Sequence, residues 1–245
     1  MKAVILLAGQ GRRIQKEYGG LHKAMIPLHG RPLLCYLIGN LIQAGIEEII
    51  PVVGYRGEEL LELIDKTVRE EKQQITVTPA WNHEYDTTNN LYSLVQAAPL
   101  LEHEEFILVN GDMVFDYRLV VNLLKVQEAA IIVDNGSYQE QLDSPRVLIR
   151  DGRILDLGRH MRIEEANGYA AGIYRFSKEL SKVFFPLSRT LLEKNANLGF
   201  HDPLCSLFDK IKIIASDTKN YLWMDVDEKA DVEKAEGYLK LMGRV

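Results

Sequence analysis

Short, wholly apolar runs alternate along this chain with longer segments whose apolar residues recur every three to four positions. Ala3–Leu7 is one such run, as expected of a strand covered on both faces. "RPLLCYLIGNLIQAG" then sets Leu33, Leu34, Leu37, Ile38, Leu41 and Ile42 at helical spacing and stops at Gly45. "EEIIPVVGY" reads as the next strand, "GEELLELIDKTVREEKQ" as an amphipathic helix and "QITVTP" as a short strand. "NNLYSLVQAAPLL" reads as a helix, "EFILVNGD" as a strand ending in Gly-Asp, "YRLVVNLLKVQ" as a helix and "AAIIVDN" as a strand. This rhythm predicts an α/β fold: a Rossmann-like three-layer sandwich with a mainly parallel sheet and helices on both faces.

Beyond residue 135 the rhythm changes. "RVLIRDGRILDLGR" is two short strands joined at Asp151-Gly152, a hairpin signal. "GYAAGIYRFS" reads as a strand, and "KELSKVFFPLSRTLLEKN" as helical on either side of Pro186. "KIKIIAS" and "YLWMDV" are strands, and "EKADVEKAEGYLKLM" is a closing helix. Residues 1–245 are expected to form one domain. With 245 residues, 47% of them hydrophobic, the chain can bury a sizeable core.

The formal charge of -6 argues against a duplex nucleic-acid binder, which needs a basic face. Two cysteines, Cys35 and Cys205, stand without CxxC spacing; they give no disulfide framework and read as small buried hydrophobes. No apolar run approaches the ~20 residues that cross a bilayer. "MKAVILLAGQG" breaks at glycines followed by Arg12 and Arg13, so it reads as a buried strand, not a targeting signal. A cytoplasmic protein with no membrane or nucleic-acid partner is expected; a homodimer stays open.

Four segments carry chemistry. Gly9-Gln10-Gly11, between a strand and a helix, lets backbone N–H groups approach phosphate oxygens closely. Alone it fits a plain strand-to-helix turn equally well. Arg12, Arg13 and Lys23 follow, and three cations near a glycine cradle suit a polyphosphate, although Arg12 fits a solvated loop better. Tyr18–Gly20 reads as a mobile loop able to close over a ligand. "VNGDMVFD" puts Asp112 at the C-terminal edge of the sheet, where open α/β folds bind ligands and where a carboxylate suits Mg²⁺. "YLWMDVDEKADVEKAE" sets Asp225 and Asp227 two apart, on one side of a strand, and Asp227 doubles as a candidate N-cap for the last helix. Finally, "WNHEYDTTNNLYSL" offers amide side chains, whose donors and acceptors can read a pyrimidine edge. Thr88 and Asn89 are also candidate helix caps.

"LLAGQGRRI…HKAMIPLHGRPLL" resembles the N-terminal motif of the nucleotidyltransferases that activate small phosphorylated metabolites, Leu-Ala-Ala-Gly-x-Gly-Thr-Arg followed by Pro-Lys. Arg13 falls at that family's arginine and Lys23 at its lysine; Arg12 replaces Thr or Ser, and His22 replaces proline. "WNHEYDTTNNLYSL" resembles a segment of the phosphocholine and 2-aminoethylphosphonate cytidylyltransferases, matched here by Asn82, Tyr85, Asn89, Asn90, Tyr92 and Ser93. The resemblance implies a fold of the nucleotide-diphospho-sugar transferase type. Residues 1–135 would be the nucleotide-binding half, and 136–245 the acceptor-binding half with the closing helix. It implies CMP transfer from CTP to a small phosphorylated acceptor, with Mg²⁺ on Asp112 and Asp225 or Asp227. Arg13 and Lys23 are the catalytic cations. Leu7, Ala8, Gly9, Gln10 and Gly11, with Asn82, Asn89, Asn90, Ser93 and Asp112, line the nucleotide, and Tyr85, Tyr92 and Tyr174 line the acceptor. Asp116 and Asp202 are candidates to pair with an acceptor amine. Leu204 and Leu207 in "FHDPLCSLFDK" supply no aromatic cage, which leaves amines and polyol phosphates open beside choline. Lys23→Ala is expected to cost orders of magnitude in kcat with folding nearly untouched. A sugar-1-phosphate enzyme using UTP or dTTP, a non-catalytic nucleotide binder and, less well matched for want of a third glycine, a nicotinamide-dependent reductase are the rival readings.

Overall fold

The computed structural model describes residues 1–135 and 144–244. In chain order its strands are β1 (Lys2–Leu7), β2 (Pro27–Leu28), β3 (Arg31–Pro32), β4 (Glu48–Val53), β5 (Thr76–Val77), β6 (Ala80–Trp81) and β7 (Phe106–Asn110). They continue with β8 (Met113–Phe115), β9 (Ala129–Asp134), β10 (Arg146–Arg150), β11 (Arg153–Gly158), β12 (Gly168–Phe176), β13 (Ile213–Asp217) and β14 (Trp223–Asp225). The helices are α1 (Arg12–Gln15), α2 (Leu33–Gln43), α3 (Gly57–Glu70), α4 (Asn90–Gln96), α5 (Ala98–Leu101), α6 (Tyr117–Leu124), α7 (Lys178–Leu192), α8 (His201–Cys205) and α9 (Lys229–Leu241).

One sheet runs β10-β11-β13-β9-β12-β7-β1-β4-β5, with β6 also paired to β4. β1 is parallel to β4 and β7, β4 to β5 and β6, and β9 to β13. β12 is antiparallel to β7 and β9, between which it lies. A strand from beyond residue 144 is therefore wedged between two strands from before residue 135, so the sheet is continuous across both halves. The half boundary itself adjoins residues 136–143, which lie outside the described residues.

The alternation within β1 shows why it was continuously apolar. Ala3, Ile5 and Leu7 pack against α2 and α3 through Leu34, Leu37, Leu41, Leu60 and Ile64. Val4 points to the other layer, with Leu91 and Leu94 of α4 and Phe184 and Phe185 of α7. Burying each Leu, Ile or Phe side chain contributes roughly 1.5–3 kcal/mol, so both faces of the sheet drive folding. α7 runs straight through Pro186, where the sequence suggested two pieces. Phe184 and Phe185 pack on Phe176 and Phe106, and that burial offsets the backbone bond proline removes. "QITVTP", read as a strand, holds β5; β6 follows just beyond it, and both pair with β4. Among the described residues no helix is long and apolar enough to cross a membrane.

A small ribbon was not legible in advance. β8 pairs antiparallel with β14, setting Met113 opposite Asp225. This register carries Asp225 alongside Asp112, across a sequence separation of more than a hundred residues.

Candidate active site

The loop after β1 and the turn carrying Lys23 are built against each other. Gly11 has φ 62, and a Cβ there would lie 2.8 Å from the Lys23 Cβ, so a glycine is needed for this approach. His22 completes the join. Its Nδ1 accepts from the Ala24 N–H at 3.0 Å, which leaves Nε2–H to donate to the Leu7 carbonyl at 2.9 Å. Burial pushes this imidazole down to about 4, so it is neutral at pH 7. The N–H groups of Gly9, Gln10 and Gly11 find no partner among the described residues. They are available to an anion, as a phosphate cradle requires. Across the cleft, a Cβ on Gly111 would come within 2.3 Å of the Leu6 carbonyl, so Gly111 lets β7 deliver Asp112 beside β1.

Five charged side chains meet here. Lys23 Nζ lies 2.7 Å from Asp112 Oδ2 and also contacts Asp227 Oδ1. Arg13 Nη2 lies 3.2 Å from Asp227 Oδ2. Burial alone would push the Lys23 ammonium down, but Asp112 and Asp227 hold it above its ordinary value. Burial would likewise raise Asp227, and Lys23 and Arg13 reverse that. Asp225 has no such cation contact. Burial first, then the Asp112 charge, pushes it up to about 8. Asp112 Oδ1 and Asp225 Oδ1 are buried without a hydrogen-bond partner among the described residues. Two orphaned carboxylate oxygens on one cavity are the donor type that a hard divalent cation takes, with phosphate oxygens and water to complete its shell. Among the described residues no group of three His, Cys, Asp or Glu side chains is placed to hold a metal ion. Both Asp227 oxygens are contacted by cations, which leaves the unpaired oxygens of Asp112 and Asp225 as the candidate donors. Nor does Asp227 cap α9: Glu228 is the N-cap, and the Asp231 carboxylate accepts the N–H groups of Asp227 and Glu228 at 2.9 and 2.8 Å.

Two cavities join at this cluster. The smaller, about 250 Å³, is lined by Ala8, Gly9, Tyr85, Asn89 and Ser93. The larger, about 500 Å³, is lined by Arg13, Arg159, His160, His201, Asp202 and Cys205, with Asp225 and Asp227. Asn90, Asn110 and Asp112 line both. Asn90 Oδ1 accepts the Phe200 N–H at 2.9 Å and so ties the two walls together.

Several expected contacts are displaced. The Leu7 side chain is core, and its carbonyl holds His22. Asn82 is 1% exposed; its amide donates to Thr88 Oγ1 and Ser93 Oγ and accepts the Glu84 N–H, so it shapes the cavity from behind. Asn89 caps α4 and also faces the smaller cavity. Gln10 accepts from Arg12 Nε at 2.7 Å. None of the three tyrosines expected at the acceptor lines the larger cavity. Tyr85 lines the smaller one. Tyr92 donates to Glu84 at 2.8 Å. Tyr174 is 1% exposed because β12 is an interior strand. Asp116 caps α6 and pairs with Arg118 away from the cleft. The Tyr18–Gly20 loop is fastened, since the Gly20 carbonyl accepts from Tyr55 Oη at 3.0 Å and Arg56 Nη1 at 2.9 Å. Cys205 lines the cleft, its thiol donating to the Leu157 carbonyl and pushed up to about 12 by burial. The sequence reading missed Asn110, Arg159, His160 and His201. Their one signal was polar residues at the end of a hairpin, "LGRH", and at the head of a short helix, "FHDPLC".

An open α/β sheet with a glycine loop, a lysine and an aspartate at its carboxyl edge defines a nucleotide-binding transferase fold. The chain belongs to the MobA-like NTP transferase domain family, whose model matches residues 3–182. It is 27% identical over 97% of its length to the bifunctional IPC transferase and DIPP synthase of Aquifex aeolicus (strain VF5), and covers 51% of that protein. It is 26% identical over 96% of its length to the CMP-5'-(3-aminopropyl)phosphonate synthase of Streptomyces rubellomurinus (strain ATCC 31215), covering 38% of it. The chain thus spans about half, or less, of these curated relatives. Among solved structures, the inositol-1-phosphate CTP transferase from T. maritima superposes with a TM-score of 0.78 at 24% identity, covering 99% of this chain and 95% of that one. The α/β fold of the nucleotide-diphospho-sugar transferase type is that of these neighbours.

Proposed function

We propose that the chain transfers CMP from CTP to a small phosphorylated or phosphonylated alcohol and releases pyrophosphate. The observation that carries this reading is the joining of two cavities at the Asp112–Lys23–Asp227–Arg13 cluster. One cavity has Gly9 of the free backbone loop and the amides of Asn89 and Asn90 on its wall; the other admits a second reactant to the same point. An oxygen of the acceptor phosphate attacks the α-phosphorus of CTP in line. The new P–O bond forms as the bond to the β-phosphate oxygen breaks, and pyrophosphate leaves with that electron pair. A phosphate needs no general base near pH 7, so catalysis rests on positioning and charge stabilisation.

Gly9, Gln10 and Gly11 donate to the phosphates, Arg13 meets the β,γ portion, and Lys23 faces the α-phosphoryl oxygens. Asn89, Asn90 and Ser93 orient base and acceptor. Asp112 and Asp225 are the residues to hold Mg²⁺, which when bound supplies charge neutralisation to the phosphates. The preference for CTP is supported by relatives named for CMP-linked products. Pyrophosphate release from CTP, UTP and dTTP, each with a panel of acceptors, tests the reading. Turnover with CTP is expected to exceed the others; a clear preference for UTP or dTTP with a sugar 1-phosphate would replace it.

A further inference from the structure

One side chain on the far wall of the larger cavity, His201, is held from behind by Tyr174. Tyr174 lies buried in β12, and its hydroxyl is 2.7 Å from His201 Nε2. Burial holds the phenol protonated, so its O–H donates and Nε2 accepts. The imidazole proton then sits on Nδ1, which makes no hydrogen bond among the described residues. Burial first, and the Arg159 charge second, push His201 down to about 4, so the ring is neutral near pH 7. Asp202, the next residue, lines the same cavity; its Oδ2 accepts the Gly199 N–H at 2.7 Å, which leaves Oδ1. The wall therefore offers an N–H donor beside a carboxylate acceptor.

A hydroxyl both donates and accepts, so it matches this pair. A trimethylammonium group does neither and wants aromatic faces. Tyr174 and Phe200, each 1% exposed, turn theirs into the core. We infer that His201, held in place by Tyr174, reads a hydroxyl of the acceptor, and that the preferred acceptor is a polyhydroxylated phosphate monoester. This inference rests on the cytidylyl-transfer reading above. His201 is a specificity residue that touches substrate, and Tyr174 is a positioning residue that acts through it.

The test assays the full chain with CTP, Mg²⁺ and three probes: myo-inositol 1-phosphate, phosphocholine and 2-aminoethylphosphonate. Wild type is expected to favour the polyol ester. His201→Ala is expected to raise the KM for that ester ~10-fold, the worth of about one hydrogen bond, while the KM for CTP holds. Tyr174→Phe, which keeps the volume, moves the same KM in the same direction by a smaller factor. His201→Asn, which keeps a side-chain N–H, restores part of the loss, and it carries the test should the alanine variant melt early. A folded His201 variant with unchanged acceptor KM overturns the inference, as does a wild-type preference for phosphocholine or 2-aminoethylphosphonate. No pyrophosphate from CTP with any probe is a different result: it removes the transfer reading, and this one with it.

Discussion

The two cavities that meet at Asp112 are built on different plans. The smaller is made largely of main chain and of side chains that also hold local structure. Asn89 caps a helix, Ser93 binds Asn82, and the free N–H groups of Gly9–Gly11 belong to the backbone. The larger is walled by side chains from the end of β11 and from the start of α8, about forty residues apart in sequence. On the proposed reading, the groups used in every turnover also hold local structure, and the groups that choose the acceptor come from two separate segments. The difference teaches that changes near Asp112 will act on all acceptors alike, whereas changes on the far wall will act on one class.

Lys23→Ala is the most direct way to break that division. Losing its charge contact is expected to lower kcat ~100- to 1000-fold with every acceptor, or roughly 3–4 kcal/mol, read by pyrophosphate release. The structure also revises the expectation that folding would be nearly untouched. Lys23 is 10% exposed between Asp112 and Asp227, so its removal leaves Asp112 without its cation and Asp227 with Arg13 alone. A lowered Tm should accompany the loss of rate, recovered in part by Mg²⁺. A loss confined to one acceptor would show that Lys23 belongs to the acceptor side.

A second effect, on stability, links the two walls through pH. His22 and His201 both fall from 6.5 to about 4 on folding because burial disfavours the charged ring. The neutral form is the one the fold prefers, so this stabilisation is intact above pH 6.5. It is lost as pH falls toward 4, where the unfolded chain takes protons that the folded one refuses. Each ring contributes up to ~3 kcal/mol across that window. Denaturant titrations at pH 7 and pH 4.5 should reveal the slope. His22→Pro removes one contribution and flattens it, since the φ of -63 at His22 suits proline. The same variant loses the imidazole link between Leu7 and Ala24, so its stability at pH 7 should be lower. An unchanged slope in His22→Pro would mean that the imidazole is not buried neutral.

Legibility follows the same division. The strand–helix alternation, the Gly9–Gly11 loop, Arg13, Lys23 and Asp112 could all be read from sequence, because periodicity and local motif carry them. The partnership of Asp112 with Asp225 could be guessed only from a motif; the β8–β14 register that produces it joins residues more than a hundred apart. The placement of tyrosines failed for a physical reason. An aromatic residue has the same one-letter signal whether it faces a cleft or a core, and Tyr174 faces the core because β12 is inserted between β7 and β9. His201 was missed because a histidine before Asp-Pro carries no periodicity at all. The loop at Tyr18–Gly20 looked loose for its glycines, yet its anchors, Tyr55 and Arg56, lie on another segment.

Between the two arginines the comparison sharpens. Arg13 contacts Asp227 and lines the cleft, whereas Arg12 bonds to Gln10 at the surface. Arg13→Ala should lower kcat/KM about tenfold, near 1.4 kcal/mol, as loss of one charge-assisted contact does. Arg12→Ala should stay within about twofold of wild type. Equal losses in both would mean that the cleft has a wider cationic rim than the structure gives it.

Tyr92→Phe is expected to do least, and for that reason it probes the boundary most finely. A tyrosine in a segment that resembles one of the phosphocholine cytidylyltransferases invites a role at the acceptor. Here its hydroxyl donates to Glu84 and does not line either cavity. Deleting that partly exposed hydrogen bond should change stability by no more than ~0.5 kcal/mol and leave the KM of both CTP and acceptor within about twofold. A rise in acceptor KM alone would put Tyr92 in the far wall after all. A rise in CTP KM alone would instead show that Glu84, freed from Tyr92, reshapes the 82–93 loop around the nucleotide. Either shift would redraw the line between the common machinery and the part that selects.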